Sequence, residues 1–138
     1  MKILFMCVAN AARSQMAEGL AKTLFPTGTD IRSAGSKPKT VHPLAIDVLR
    51  ELNITLTDPH SKSCADLPPE FCNEVNYVIT LCAEEVCPVG EFPKAKKLHW
   101  PLTDPATAQK TEAEQLLNFR SVRDEIKKRL QEFMKDTK

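Results

Sequence analysis

One segment near the N-terminus combines a cysteine and an arginine at a spacing that suits chemistry on an oxyanion. It reads Cys7-Val8-Ala9-Asn10-Ala11-Ala12-Arg13, a Cys-x5-Arg pattern, and Ser14 follows it. The planar guanidinium of an arginine can hold two oxygens of a tetrahedral anion. A cysteine close to that charge is favoured as the thiolate, which is the nucleophilic form. The pattern therefore predicts Cys7 as a nucleophile, Arg13 as an anion ligand and Ser14 as a hydrogen-bond partner of the sulfur.

The flanking elements would place this segment at the start of a helix. Residues 2–6 have the composition of a buried strand, and residues 14–25 carry apolar side chains at helical spacing. The intervening loop would turn its backbone N–H groups inward, in front of the helix N-terminus. We therefore predict that an oxyanion is bound by Val8, Ala9, Asn10, Ala11, Ala12 and Arg13. Asn10 could also brace the loop or adopt a left-handed backbone. The alternative is that Cys7 is a buried cysteine at a strand end and Arg13 a surface residue.

The composition of the chain indicates one soluble globular domain, residues 1–138. The sequence has 138 residues, 42% hydrophobic residues and a net charge of +1, which suit a single core and give no reason to expect nucleic acid. No stretch approaches the ~20 apolar residues of a membrane span, and no secretory signal is seen. The five cysteines are odd in number and irregularly spaced, which does not suit a secreted disulfide framework. We expect a cytoplasmic monomer that does not associate with membranes.

Apolar runs alternate with helical patterns along the chain, which predicts an α/β fold. The expected architecture is a four-stranded parallel sheet with helices on both faces. The predicted strands are 2–6, 30–33, 77–81 and 97–99, and the predicted helices are 14–25, 43–52 and 111–134. Along the last helix, most of the apolar residues from Leu116 to Phe133 form a stripe toward the core, whereas Arg123 belongs to a charged face in solvent. Leu67-Pro68-Pro69 is interpreted as a loop.

The segment from Cys7 to Gly19 resembles the signature of thiol-dependent arsenate reductases, which are built on the low-molecular-weight tyrosine phosphatase fold. Further segments match the family in order, and the resemblance covers nearly the whole chain: Ser33-Ala34-Gly35, Val78 to Cys82, His99-Trp100, Asp104-Pro105 and Arg120 to Ile126. One departure lies in the loop, where positions 11 and 12 are both alanine and many relatives carry Ser and Cys. The loop therefore lacks one hydroxyl that such relatives use for hydrogen bonding.

Two more cysteines could supply the two electrons that reduction of an oxyanion requires and that hydrolysis does not. Cys82 ends an apolar run and Cys87 follows it closely, so both would lie at the sheet edge that holds Cys7. The resemblance implies that Cys7 attacks arsenate while Asp104 protonates the leaving oxygen. Cys82 would then attack Cys7 and release arsenite, and Cys87 would attack Cys82 to form a disulfide. Thioredoxin or a similar dithiol reductant would reduce that disulfide.

Several alternatives remain open at this stage. Cys82 and Cys87 could be buried hydrophobic residues, or could bind zinc with Cys64 and Cys72, although no Cys-x2-Cys spacing is present. Without zinc, Cys64 and Cys72 would pack or lie idle. The Asp104-Pro105 pair could simply start a turn.

Some relatives bind a potassium ion with residues that match Asn10, Glu18 and Ser33, and no other cofactor is implied. Glu18 is equally explained by the helix dipole. The three histidines, His42, His60 and His99, are expected to be structural or exposed.

The leading function is therefore arsenate reduction. The main alternative is a low-molecular-weight protein tyrosine phosphatase that hydrolyses phosphomonoesters through a Cys7 phosphoenzyme. Phosphatases of this family tend to carry aromatic residues after the Asp-Pro pair, whereas residues 106–110 here include none, which favours a small inorganic substrate. A third class is a binding module that sequesters oxyanions or thiophilic metals.

Overall fold

A single parallel sheet organises the molecule. The computed structural model describes residues 1–56, 61–82, 92–106 and 111–137. The strands are β1 (Lys2–Cys7), β2 (Asp30–Gly35), β3 (Tyr77–Cys82) and β4 (Lys96–Leu102), in the order β2-β1-β3-β4 and all parallel. The helices are α1 (Arg13–Leu24), α2 (Pro43–Arg50), α3 (Pro69–Glu74) and α4 (Glu112–Asp136), with a short 3₁₀ turn at Cys64–Asp66. The predicted four-stranded parallel sheet is confirmed.

Helices cover both faces of the sheet, as expected. Ile3 and Phe5 of β1 belong to a first core cluster, which α1, α2 and α4 complete. Leu4 and Met6 belong to a second cluster, which includes Phe71 of α3. The four β1 residues have no exposed surface, which explains why this strand is a continuous apolar run rather than an alternating pattern.

Helix α3 and two positions of α4 differ from the expectations. The Leu67-Pro68-Pro69 loop leads directly into α3, because a proline is well suited to the first position of a helix. In α4, Leu117 is 61% exposed, whereas Arg123 is only 8% exposed and is not part of a solvated face. Arg123 is buried because it donates to Val48 O at 2.9 Å and to Glu51 Oε1 at 2.7 Å, so contacts with α2 replace its hydration.

None of the described helices combines the length and the apolar character that crossing a bilayer needs.

The order of the strands creates a crevice at the end of β1. Strand β1 pairs with β2 on one side and with β3 on the other. The connection after β1 therefore leads to one side of the sheet, and the connection after β2 leads back past β1 to the other side. Ligands of open parallel sheets bind beyond the carboxyl ends of the strands at such a switch point. The loop that follows Cys7 occupies this position.

Candidate active site

The loop between β1 and α1 directs its carbonyl groups away from the crevice. Each carbonyl from Val8 to Ala11 accepts a hydrogen bond from a neighbouring segment. Lys37 N donates to Val8 O, Lys39 N to Ala9 O and His42 N to Ala11 O, each at 2.9 Å, and Ser61 Oγ donates to Asn10 O at 2.8 Å. Because the C=O and N–H of a trans peptide point in opposite directions, the N–H groups turn toward the inside of the loop. This is the arrangement that an oxyanion requires.

Asn10 and Ser14 orient a hydrogen bond toward Cys7. Asn10 has a φ of 49°, the left-handed conformation that its residue type tolerates. Its Oδ1 accepts from Lys62 N at 3.0 Å, and its Nδ2 donates to Ser14 Oγ at 2.7 Å. The Ser14 oxygen lies 2.9 Å from Cys7 Sγ. Since this oxygen already accepts from Asn10, its own proton is available to the sulfur, and donation to a thiolate stabilises the charged form.

Strand β2 approaches the loop so closely that its last residue must lack a side chain. A Cβ atom at Gly35 would lie 2.5 Å from Val8 O and 2.9 Å from Asn10 N. Both are backbone atoms and cannot rotate away. Gly35 N also donates to Lys62 O at 2.9 Å, which holds the segment carrying Lys62 against the loop.

Helix α1 begins without a side-chain cap. Its N-cap residue is Ala12, whose methyl side chain makes no cap hydrogen bond. The positive end of the helix dipole at this terminus favours a nearby anion. Arg13 is 5% exposed and its Nη1 donates to Leu102 O at 2.9 Å, which orients the guanidinium across the end of β4.

A cavity of about 250 Å³ lies in front of this loop. It brings together three of the predicted catalytic residues, Cys7, Arg13 and Asp104, and also three predicted oxyanion-binding residues, Ala9, Ala11 and Ala12. The full lining is Cys7, Ala9, Ala11, Ala12, Arg13, Lys39, Thr40, His42, Asp104 and Ala106. Asp104 Oδ1 accepts from Ala106 N at 2.9 Å, so its side chain also stabilises the turn around Pro105. Val8 and Asn10, which were also predicted to bind the oxyanion, are not among the described lining residues, and the side chains of Asn10 and Ser14 are fully buried.

His42 and Lys39 line the cavity although sequence reasoning did not assign them to the site. His42 is structural, as expected, because its Nδ1 accepts from Leu44 N at 3.1 Å and caps α2. The neutral ring therefore carries its proton on Nε2. The ring also packs against Phe119 at a centroid distance of 4.7 Å. These two residues could have been suspected from their position in the sequence, because the segment from Lys37 to His42 follows β2 at the carboxyl edge of the sheet.

A larger cavity of about 480 Å³ lies between the Asp104 turn and α4. The two cavities share Asp104, but the larger one has no cysteine among its described lining residues. The smaller cavity is therefore the candidate active site, because it contains both the nucleophile and the anion ligand.

Cys82 lies at the end of the strand next to that of Cys7. The two residues end β3 and β1, which are paired, and they are 1% and 2% exposed. Cys82 pairs with Leu102, whose carbonyl binds Arg13, after a register irregularity that begins at Thr80. Cys82 is not among the described residues that line the smaller cavity. Cys87, the predicted second resolving thiol, lies outside the described residues, as does His60.

The residues predicted to hold potassium make other contacts. Glu18 Oε1 accepts from Ser33 Oγ at 2.8 Å and lies 3.8 Å from Lys62 Nζ, while Glu18 Oε2 accepts from Lys22 Nζ at 3.1 Å. Two lysine side chains therefore already supply positive charge to this carboxylate. The oxygen of the Asn10 side chain is engaged by Lys62 N. These residues fit a potassium ion poorly in this arrangement.

The zinc alternative finds no support in the part of the chain that the structure describes. No group of three or more His, Cys, Asp or Glu side chains able to hold a metal ion occurs within residues 1–56, 61–82, 92–106 and 111–137.

Comparisons with known proteins place the chain in a family. Residues 2–138 match the family model described as low molecular weight phosphotyrosine protein phosphatase. An arsenate reductase of Oceanobacillus iheyensis is 38% identical over 135 residues, which are 96% of this chain and 94% of the relative. A solved structure described as an arsenate reductase in the phosphate binding state has 31% identity and a TM-score of 0.78, and the match covers 98% of this chain and 97% of that one.

A second solved structure is a thioredoxin-dependent arsenate reductase of Corynebacterium glutamicum, with 30% identity and a TM-score of 0.73. The match covers 98% of this chain but 60% of that longer chain. The chain thus belongs to the low molecular weight phosphotyrosine protein phosphatase family, within the group that contains the arsenate reductases.

Proposed function

We propose that this protein is an arsenate reductase that uses Cys7 as the nucleophile and Cys82 and Cys87 as a disulfide relay. The observation that carries the proposal is the cavity that joins Cys7, Arg13 and Asp104, with Cys82 at the end of the adjacent strand. Relatives of 38% identity over nearly the whole chain are arsenate reductases, which supports the same reaction here.

In the first step, the cavity holds arsenate and Cys7 attacks it. The loop amides and Arg13 bind the oxyanion, and the Ser14 hydroxyl stabilises the attacking thiolate. A sulfur–arsenic bond forms while an arsenic–oxygen bond breaks. Asp104, in its protonated form, would donate the proton that lets the oxygen leave as water.

In the second step, thiols supply the two electrons of the reduction. Cys82 attacks the Cys7 sulfur, and the electron pair of the sulfur–arsenic bond stays with arsenic, which leaves as arsenite. Cys87 then attacks Cys82, so that Cys7 is released and a Cys82–Cys87 disulfide forms. Because Cys82 is buried at a strand end, the end of β3 has to rearrange during this step.

We further propose thioredoxin as the dithiol that resets the enzyme, because a solved relative is named as thioredoxin-dependent. The test is arsenate-dependent NADPH oxidation with thioredoxin and its reductase, compared with glutaredoxin and glutathione. Turnover is expected with thioredoxin, and both Cys82→Ser and Cys87→Ser should abolish it. Cys72→Ser, a matched control on the opposite face of the sheet, should retain it. Full turnover by Cys82→Ser would reject the relay.

The phosphatase alternative is favoured by one observation, since the family model is that of the phosphatases. Hydrolysis of a phosphomonoester would need only Cys7, Arg13 and Asp104. None of the described lining residues is Phe, Tyr or Trp, and His42 is the one ring among them, so this part of the cavity offers little aromatic contact to a phosphotyrosine ring. We expect weak hydrolysis of p-nitrophenyl phosphate that survives replacement of both Cys82 and Cys87. An aryl phosphate kcat/KM above that for arsenate would favour the phosphatase.

Three accompanying proposals have simple tests. A cytoplasmic location suits a relay that ends in a reducible disulfide, and fractionation would test it. Size-exclusion chromatography would test the expected monomer. The family resemblance implies a potassium ion near Asn10, Glu18 and Ser33, whereas the lysine contacts of Glu18 oppose it, and a higher melting temperature in KCl than in NaCl would favour the ion. A binding module, in contrast, would take up arsenate without changing its oxidation state.

A further inference from the structure

We propose that Cys64 and Cys72 form a second thiol site, which binds trivalent arsenic through both sulfur atoms. The site lies on the opposite face of the sheet from α1, α2 and α4. The choice of ligand rests on the proposed function, because arsenite would be the product of the enzyme. The placement of the two thiols is independent of that function.

The backbone folds these two cysteines onto one patch of core. Cys64 begins the 3₁₀ turn, and its carbonyl accepts from Leu67 N at 3.2 Å. Cys72 lies in α3, and its N–H donates to Pro68 O at 3.2 Å. Both side chains pack against the second core cluster, which includes Leu67. Both cysteines are free and half-buried, so solutes can reach them.

Both cysteines pack against the same core cluster, and the Cys72 thiol influences the ionisation of Cys64. Burial, and after it the neighbouring Cys72 thiol, raise the pKa of Cys64 above its ordinary value of 9.0. Cys64 therefore remains protonated at neutral pH and is a poor nucleophile for disulfide exchange. This argues against a role in the relay. Two neighbouring thiolates would repel each other. A ligand that bonds to both sulfur atoms removes this repulsion, because neither sulfur then carries a full negative charge.

Trivalent arsenic suits a pair of thiols that has no further ligands. Arsenous acid condenses with two thiols to form a species with two sulfur–arsenic bonds and one hydroxyl, and the two thiol protons leave with two hydroxyls as water. Arsenic stays trivalent, so the step needs no oxidant or reductant. A structural zinc ion would need four ligands. Within the described residues, Cys64 and Cys72 are not part of any larger metal-binding group.

The test measures binding in the absence of turnover. The reduced full-length Cys7→Ser/Cys82→Ser/Cys87→Ser variant is titrated with arsenite and followed by native mass spectrometry and calorimetry. One arsenic should bind per chain, and the further change Cys64→Ser or Cys72→Ser should weaken binding about a hundredfold, because the second, intramolecular sulfur–arsenic bond is lost. No binding, or equal binding after either change, would overturn the proposal. A failure of the wild-type protein to reduce arsenate, measured separately, would overturn only the proposed function.

A second measurement avoids the multiple variant. Reduced wild-type protein is treated with N-ethylmaleimide with and without arsenite, and each cysteine peptide is quantified. Arsenite should protect Cys64 and Cys72 together. Unchanged labelling of the two would contradict the site. The Cys64→Ser/Cys72→Ser protein should still reduce arsenate, because neither residue lines the active-site cavity.

Discussion

The hydroxyl of Ser14 connects the shape of the loop to the reactivity of the sulfur. Asn10 donates to its oxygen at 2.7 Å, and the same oxygen lies 2.9 Å from Cys7 Sγ. Asn10 is itself held by Lys62 N through its Oδ1. A chain of hydrogen bonds therefore runs from the segment before the 3₁₀ turn to the nucleophile. Chains of this kind strengthen each member in a buried site.

Removal of the Ser14 hydroxyl should therefore slow the reaction of Cys7. In Ser14→Ala, the rate of Cys7 alkylation by iodoacetamide near pH 7 is expected to fall at least about tenfold, because a hydrogen bond to a charged group contributes about 1.5–3 kcal/mol. Peptide mass spectrometry measures the alkylation of Cys7 separately from that of the other cysteines. Ser121→Ala, on the exposed surface of α4, serves as the control. An unchanged rate in Ser14→Ala would mean that the proton of Ser14 does not serve the sulfur.

Gly35 makes a second prediction at the residue scale. In Gly35→Ala, a methyl group would collide with the backbone of the loop, and kcat/KM for arsenate should fall about a hundredfold, as displacements of about 1 Å in an active site do. Gly19→Ala is the matched control. There the new Cβ would lie 2.9 Å from side-chain atoms of Leu49 and Leu56, which can move, and activity should persist. Equal losses in the two variants would contradict the close approach of β2.

Local spacing was sufficient to predict that Cys7, Arg13 and Ser14 lie together, because strand, loop and helix follow each other directly. His42 and Lys39 could not be found this way. Their contacts with the loop join residues some thirty positions apart through backbone hydrogen bonds, as between Lys39 N and Ala9 O. Backbone pairing of this kind leaves no pattern in side-chain types. Cys82 was placed at the correct edge because it ends an apolar run, whereas its burial depends on packing.

At the scale of the elements, a carboxylate joins α2 to α4. Glu51 follows α2 and accepts from Arg120 Nη2 at 2.6 Å and from Arg123 Nη1 at 2.7 Å. Arg123 was assigned to a solvated face because helical periodicity records only hydrophobicity. In a sequence, an arginine that is buried against acceptors on a neighbouring helix cannot be distinguished from an arginine in solvent. The segment from Arg120 to Ile126, which contributed to the family resemblance, thus has a structural role here.

This ion pair should make stability depend on pH. The hydrogen bond from Arg120 lowers the pKa of Glu51 below its ordinary value of 4.5, with Arg123 adding to the effect. A carboxyl group whose pKa is lowered by folding stabilises the folded state above its unfolded pKa, and this contribution is lost as the pH falls through the folded value. Wild-type protein should therefore be more stable than Glu51→Gln near pH 7, with the difference shrinking below about pH 4.5.

Urea unfolding of both proteins across this pH range measures the difference. Glu132→Gln, which changes an exposed carboxylate of α4, should show a smaller difference at every pH. A difference between wild type and Glu51→Gln that stays constant down to about pH 3 would contradict the ion pair as its source.

Over the whole molecule, the strand order explains how one sheet edge can combine binding and redox chemistry. The reversal of direction at β1 opens the crevice for the loop, and β3 brings Cys82 to the same edge. The α/β class and the sheet were predictable because alternating strands and helices leave few ways to bury their apolar faces. The six-residue α3 was not, because Phe71 is its only buried residue and so short a helix shows no period.

The central claim is that one chain reduces arsenate with electrons from its own thiols. A single turnover tests it most directly: fully reduced Cys64→Ser/Cys72→Ser protein, which has no second thiol pair to retain arsenite, is mixed with excess arsenate after every external thiol is removed, and both free thiols and arsenic species are counted. One arsenite released and two thiols lost per chain are expected, with no arsenite released when Cys82→Ser is added. Arsenite release from Cys82→Ser, or arsenate left unreduced by the wild-type protein, would contradict it.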